Sequence, residues 1–183
     1  MTDDARALER AAAGDRAAFE RFVRRHEGAV LRYVRGLTPD PDRAEDAFQD
    51  AFIAAWRSAG TFRGDGSGSA RGWILAIARN AVRRQYRRSA GEPERFEPLD
   101  RVAVEAGWGD TDVRWTDRLT AGELVDRAFQ ALSPGDREIL VLRDLEGFGN
   151  EEVAKLLGLS LPAVKSRVHR ARLRFMALVR GSQ

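Results

Sequence analysis

The chain has no cysteine and only two histidines, His26 and His169, in 183 residues. Without thiols there is no disulfide framework, no thiolate nucleophile and no cysteine-bearing zinc site. Two imidazoles do not make a histidine-rich metal site either. No apolar run approaches the length of a bilayer span, and the acidic, polar start lacks the basic-then-apolar pattern of a secretory leader. These absences predict a cytoplasmic protein with no direct membrane insertion. No glycine loop of the P-loop or dinucleotide type occurs, and no catalytic motif presents a carboxylate pair from separate elements. The expectation is therefore of a non-enzyme with no metal and no cofactor. Excess charge is missing too: 31 Lys and Arg face 28 Asp and Glu, for a net +3. Any strongly basic patch must be offset by acid elsewhere.

What is present is most informative from Asn150 to Arg172, NEEVAKLLGLSLPAVKSRVHRAR. Asn150 reads as an N-cap, followed by Glu151 and Glu152 at the positive end of a helix dipole. Val153, Ala154 and Leu157 share one face, and Gly158 suits the left-handed residue that ends a helix. Ser160 then caps a second helix, with Pro162 tolerated in its first turn. Val164, Val168, Ala171, Phe175 and Leu178 form its apolar stripe. Opposite them stand Lys165, Ser166, Arg167, His169, Arg170, Arg172 and Arg174. A short helix, a glycine-containing turn and a second helix with a basic front describe a helix-turn-helix. No acid follows Glu152 to balance seven Lys and Arg, which favours a phosphate partner over a merely solvated face.

The rest of the chain reads as further helices, with no strand pattern. Residues 1–14 are Ala-rich and charged, predicting a frayed helix or tail at the N-terminus. From Asp15, Phe19, Phe22, Val23, Val30, Leu31, Val34 and Leu37 recur at helical steps, and Thr38-Pro39-Asp40-Pro41 stops that helix. The next runs from Arg43 to Trp56. It buries Ala44, Ala47, Phe48, Ala51, Phe52, Ala55 and Trp56 and leaves Glu45, Asp46, Gln49 and Asp50 as an acidic face. One helix face cannot supply the oxygen cage that a hard cation wants.

After the glycine- and serine-rich FRGDGSGS, a third helix runs from Ala70 to about Arg88 and buries Trp73, Ile74, Ile77, Ala78 and Ala81. Six arginines and no acid lie between Arg71 and Arg88. Arginines interleaved with Trp73 and Tyr86 suit a single strand of nucleic acid, although Trp73 reads equally well as core.

Between Glu92 and Asp126 ten acids face four arginines, with two prolines and no clean periodicity; residues 90–118 read as a linker. Beyond it, Leu124, Val125, Ala128, Phe129 and Leu132 make a helix and Ser133-Pro134 caps another. Ile139, Leu140, Leu142 and Leu145 complete the packing. The predicted fold is all-α: two small helical domains, residues 15–89 and 119–183, joined by a flexible acidic linker, the second domain a helix-turn-helix.

Three stretches in this order resemble the extracytoplasmic-function (ECF) sigma factors of bacterial transcription. RAEDAFQDAFIAAW is similar to the family's core-binding helix. TFRGDGSGSARGWILAIARNAVRRQYRR is similar to its promoter-melting loop and helix. LSPGDREILVLRDLEGFGNEEVAKLLGLSLPAVKSRVHRAR is similar to its DNA-reading domain. The resemblance implies a protein that binds core RNA polymerase and both elements of a promoter, melts DNA, and answers to an anti-sigma factor. It places polymerase contacts at Asp46, Gln49, Asp50, Phe52 and Trp56. Minus-10 contacts fall on Phe62, Arg63, Gly64, Asp65, Ser67, Trp73, Arg79, Asn80, Arg83, Arg84 and Arg87. Minus-35 contacts fall on Lys165, Ser166, Arg167, His169, Arg170 and Arg172. Arginine and lysine favour guanine O6 and N7, so a G-containing minus-35 motif is expected. The rival reading is a free-standing helix-turn-helix regulator, whose usual partner domains lack the tryptophan-bearing second helix and the arginine-rich third.

Overall fold

Side-chain caps set where the first helices begin in this computed structural model, which describes residues 2–64, 69–89 and 121–181. Two compact units emerge, Met1–Ser89 and Ala90–Gln183. In the first, Thr2 Oγ1 accepts from Ala5 N at 3.2 Å and opens α1, Asp3–Ala12. Asp15 accepts from Ala18 N at 2.9 Å and opens α2, Arg16–Leu37. That amide bond, with Arg10 adding to it, holds the Asp15 carboxyl below its ordinary range. Asp40 accepts from the amides of Asp42 and Arg43 at the head of α3, Pro41–Ser58, where proline at the first helical position has no amide to satisfy. A 3-10 turn, Ala59–Thr61, leads towards α4, Ala70–Ser89.

The core of this unit lies among α2, α3 and α4, with α1 packed on α2. Phe22, Val30, Val34, Leu37, Ala44, Ala51, Ala55, Ile74, Leu75, Ala78 and Val82 are buried, each large aliphatic or aromatic among them contributing about 1.5–3 kcal/mol. Tyr33, with none of its surface exposed, and His26 also lie inside, which an apolar pattern alone does not reveal. Helix α1 is packed rather than frayed. Leu8 and Ala11 are buried at 1% and 3% exposure, and Asp4 reaches His26 Nε2 at 3.1 Å and Arg25 at 2.5 Å.

The second unit comprises α5, Ala121–Gln130; α6, Pro134–Leu140; α7, Asn150–Leu157; and α8, Leu161–Gly181. Ser133 Oγ accepts from Asp136 N at 3.2 Å, so the Ser-Pro start of α6 is as the sequence predicts. A π-helical turn, Val141–Leu145, follows, with Glu146 N donating to Val141 O at 2.8 Å. That wider turn rotates the chain out of ordinary helical spacing. Leu145 is consequently 61% exposed rather than packed, and Phe148 is buried instead. All described elements are helical or turn; the linker, residues 90–118, and the loop residues Asp65 and Ser67 lie outside the described residues.

Candidate nucleic-acid interface

The two helices of the helix-turn-helix are fixed by local chemistry. Gly149, not Asn150, is the N-cap of α7, and Glu152 reaches back to accept from Gly149 N at 2.8 Å. A glycine has no oxygen to cap with, so the acid three residues on supplies the side-chain half of the motif. Gly158 ends α7 at φ +68°, in the left-handed region where a Cβ is penalised. Ser160 Oγ then accepts from Ala163 N at 3.3 Å at the head of α8.

Helix α8 spans 21 residues, about 31 Å. Val164, Val168 and Ala171 are buried against the unit, while Phe175 is half-buried and meets Phe129 edge-on at 6.4 Å. Lys165, Ser166, His169 and Arg170 are exposed along the opposite side, and Arg167 is half-buried. The expected absence of balancing acid needs correction. Arg172 Nε donates to Asp144 at 3.0 Å, and its guanidinium makes a second bond to the same carboxylate. Arg174 donates to buried Asp136 at 2.5 Å. The acids come from the segment before the motif, 28 and 38 residues away in sequence. The same hydrogen bonds and the Asp144 charge raise the pKa of Arg172. The basic front is therefore concentrated in the first half of α8.

In the first unit, α3 carries the acidic face. Glu45, Asp46 and Gln49 are exposed and Asp50 is half-buried. Gln49 donates to Glu45 at 3.1 Å. Phe52 is 8% exposed and belongs to the core, with Phe48 edge-on at 5.1 Å. It supports this face from behind. Trp56 is half-buried and edge-on to Phe19 at 5.1 Å. The side chain that sequence reasoning missed is Ile53. It is 49% exposed and stands one turn beyond Gln49 and Asp50, an apolar group among polar ones. The signal lies in the spacing: four residues after Gln49 and three after Asp50, Ile53 falls on the polar face of α3 and outside the packed alanines and aromatics.

The arginines of α4 form two adjacent rows, Arg79, Arg83 and Arg87 beside Asn80, Arg84 and Arg88, at four-residue steps. Asn80 and Arg88 are exposed; Arg79, Arg83, Arg84 and Arg87 are half-buried. Tyr86 lies under Arg43, whose guanidinium carbon is 5.5 Å from the ring centroid, so it is engaged within the unit. Trp73 is half-buried and touches Phe22 at 6.2 Å and Phe62 at 5.6 Å, both edge-on. It joins the core to the segment leading into the loop, where Phe62 is half-buried and Arg63 and Gly64 are exposed. Arg63 donates to Gly60 O at 3.3 Å.

This arrangement, two helical units with an acidic helix face, an arginine-lined helix and a helix-turn-helix, coincides with family matches. The Sigma-70 region 2 family matches residues 22–92 and the Sigma-70 region 4 family matches residues 122–175. The chain is 34% identical over 176 residues to the ECF RNA polymerase sigma factor SigM of Mycobacterium tuberculosis, covering 96% of this chain and 84% of that protein. The chain is an ECF sigma factor. Another relative, the RNA polymerase sigma factor NccH of Alcaligenes xylosoxydans xylosoxydans, is 33% identical with complete coverage of both chains, 100% and 100%. The structure of CnrH in complex with the cytosolic domain of CnrY matches with a TM-score of 0.67 at 28% identity, covering 100% of both chains. In the sigma factor, region 2 begins within α2 and takes in α3 and α4, and region 4 runs from α5 into α8. Helix α1 precedes the region 2 match. None of the described helices is long and apolar enough to cross a membrane.

Proposed function

We propose that the first unit grips core RNA polymerase through the exposed face of α3 and handles the minus-10 element through α4 and the segment from Phe62, while α8 reads the minus-35 element. The observation that carries this reading is the segregation of charge on the two matched regions: carboxylates on α3, arginines along α4, and an exposed cationic front on the first half of α8. On α3 the contacts are Asp46, Gln49 and Asp50, with Ile53 supplying apolar surface and Phe52 and Trp56 holding the helix in place. On α8, Lys165, Ser166, His169 and Arg170 face base edges, and Arg167 adds charge beside them. Arg172, held by Asp144, orients the helix and contributes less to the phosphate backbone than its position alone implies.

Opening the duplex takes a base out of the stack, at a cost of a few kcal/mol. Arg79, Arg83, Arg84 and Arg87 offset that cost by holding the phosphates of the displaced strand, with Asn80 and Trp73 beside them. Arg63 and Gly64, with Asp65 and Ser67 of the same loop, complete that site. The work is binding, with no bond made or broken by this chain. Neither grip needs high affinity alone, because attachment through polymerase raises the effective concentration of the other.

Control by an anti-sigma factor follows from kinship with CnrH, which was solved bound to the cytosolic domain of CnrY. The exposed faces that meet polymerase and DNA are the ones such a partner must cover.

Adding the protein to sigma-free core polymerase and scoring open complexes and run-off RNA from a genomic promoter library tests the reading. Initiation from promoters with G-containing minus-35 motifs is expected. Tight binding to duplex DNA by the free protein, with no initiation from any promoter, would favour the free-standing regulator instead.

A further inference from the structure

Helix α1 lies outside the region 2 match, yet it is built into the segment that leads to the promoter-opening loop. Its C-terminal end packs on the 3-10 turn: a methyl added at Gly60 would sit 3.5 Å from Ala12 Cβ. Its N-terminal end approaches the loop still more closely. A methyl added at Gly64 would lie 3.1 Å from Ala5 Cβ and 3.4 Å from the Phe62 ring. Ala5, Leu8 and Ala12 form one wall of a groove of about 730 Å³ whose other wall includes Gly60, Phe62 and Gly64.

A second path joins the same two places through the interior. Asp4 of α1 bonds His26 on α2 at 3.1 Å. The His26 ring lies 4.6 Å from Phe22, Phe22 lies 6.2 Å from Trp73 on α4, and Trp73 lies 5.6 Å from Phe62. Phe62 is thus held from one side by a column of rings that ends on Asp4, and its neighbour Gly64 is held from the other by Ala5. A packed column transmits displacement because interiors compress little.

We propose that α1 is a positioning element for promoter opening, with Asp4 and Ala5 as the residues that set where Phe62 and Gly64 stand. This rests on the assignment of the Phe62 segment to promoter opening. Neither residue touches DNA in this scheme; both act through the segment they hold.

The test uses the full chain with core polymerase on two templates, a duplex promoter and the same promoter pre-opened across the minus-10 element. Gly64→Ala forces α1 and the loop apart by a few tenths of an ångström, and Asp4→Asn weakens the tie to His26 and Arg25. Asp4→Asn should lower open-complex formation on the duplex template by roughly tenfold, leave the pre-opened template unaffected and bind core polymerase as the parent does, and Gly64→Ala should lower duplex opening by a similar factor. Combining Ala5→Gly with Gly64→Ala removes the methyl that the new one meets and should restore opening. Phe62→Ala is the control for the assignment beneath the proposal. If it shows the duplex-specific defect while Gly64→Ala and Asp4→Asn behave as the parent, α1 has no positioning role. Equal losses on both templates for Asp4→Asn overturn the proposal as well, because they mark a general structural defect. If Phe62→Ala opens duplex normally, the assignment of this segment fails, and the proposal with it.

Discussion

Asp144→Ala should make DNA binding by the sigma factor more sensitive to salt. Arg172 sits on the recognition helix, but two of its nitrogens are bonded to the Asp144 carboxylate. The pair is partly exposed, with 51% of the Arg172 side chain and 36% of that of Asp144 open to solvent. Exposed pairs of this kind contribute under about 1 kcal/mol to stability, so folding should be almost unchanged. The effect on DNA is different, because each phosphate neutralised adds about −0.9 to the slope of log K against log salt. Freeing one arginine should steepen that slope by about one unit, which amounts to roughly a threefold larger loss of affinity between 50 and 200 mM salt. Holoenzyme binding to a minus-35 promoter fragment, measured across that range for the parent, Asp144→Ala, Arg172→Ala and the double variant, reads this directly. Arg172→Ala should leave the slope of the parent nearly unchanged but cancel the gain from Asp144→Ala. The reasoning is refuted if Arg172→Ala alone flattens the slope by a full unit, since Arg172 would then reach phosphate in spite of its carboxylate.

Three other perturbations follow from the same geometry. Gly158→Ala meets open space but must hold an L-residue at φ +68°, so thermal melting should show a loss of about 1–2 kcal/mol; an unchanged midpoint would mean the turn relaxes without penalty. Ile53→Asp should weaken core polymerase binding by roughly tenfold, the order expected of a buried interface anchor, while leaving stability intact because the side chain is already half in solvent. His26 is held below the ordinary imidazole pKa, first by burial, with Asp4 pulling the other way and Arg25 and Arg71 adding to the depression. The unfolded chain therefore takes up this proton first as pH falls below 6.5. The contribution is fully present above that value and is lost below it. Urea midpoints should decline with falling pH more steeply for the parent than for His26→Gln, and equal declines would remove His26 from the account.

The features legible in the sequence are those set by neighbours a turn or two away. Ser133-Pro134, Gly158 and Ser160 act on amides within their own helices, and the buried positions Val164, Val168 and Ala171 repeat at helical steps. What the pattern missed depends on contacts across the fold. Helix α1 offers only Leu8 and alanines as a stripe, and what ties it down is Asp4 reaching His26, 22 residues on. The acids that neutralise Arg172 and Arg174 stand in α6 and the turn after it, so a count of charges after Glu152 misses them. Leu145 falls at a packed position only if the helix keeps its ordinary pitch, and the π-helical turn Val141–Leu145 breaks that pitch. Tyr33 and His26 fall at helical steps on the same face of α2 as Phe22, Val30 and Leu37, and a count of purely apolar residues passes over them because each carries a polar group.

The central claim is that polymerase and the minus-35 element are held by different faces of this chain, on α3 and α8. The most direct measurement sets Asp50→Ala and Arg170→Ala side by side, titrating each against core polymerase and then scoring discrimination between matched and mismatched minus-35 elements. Arg170→Ala should reduce discrimination by about 1–3 kcal/mol, the range for one bidentate base contact, and leave core affinity alone. Asp50→Ala should weaken core binding and leave discrimination alone. Comparable losses in both measurements for both variants would contradict the division of the two grips.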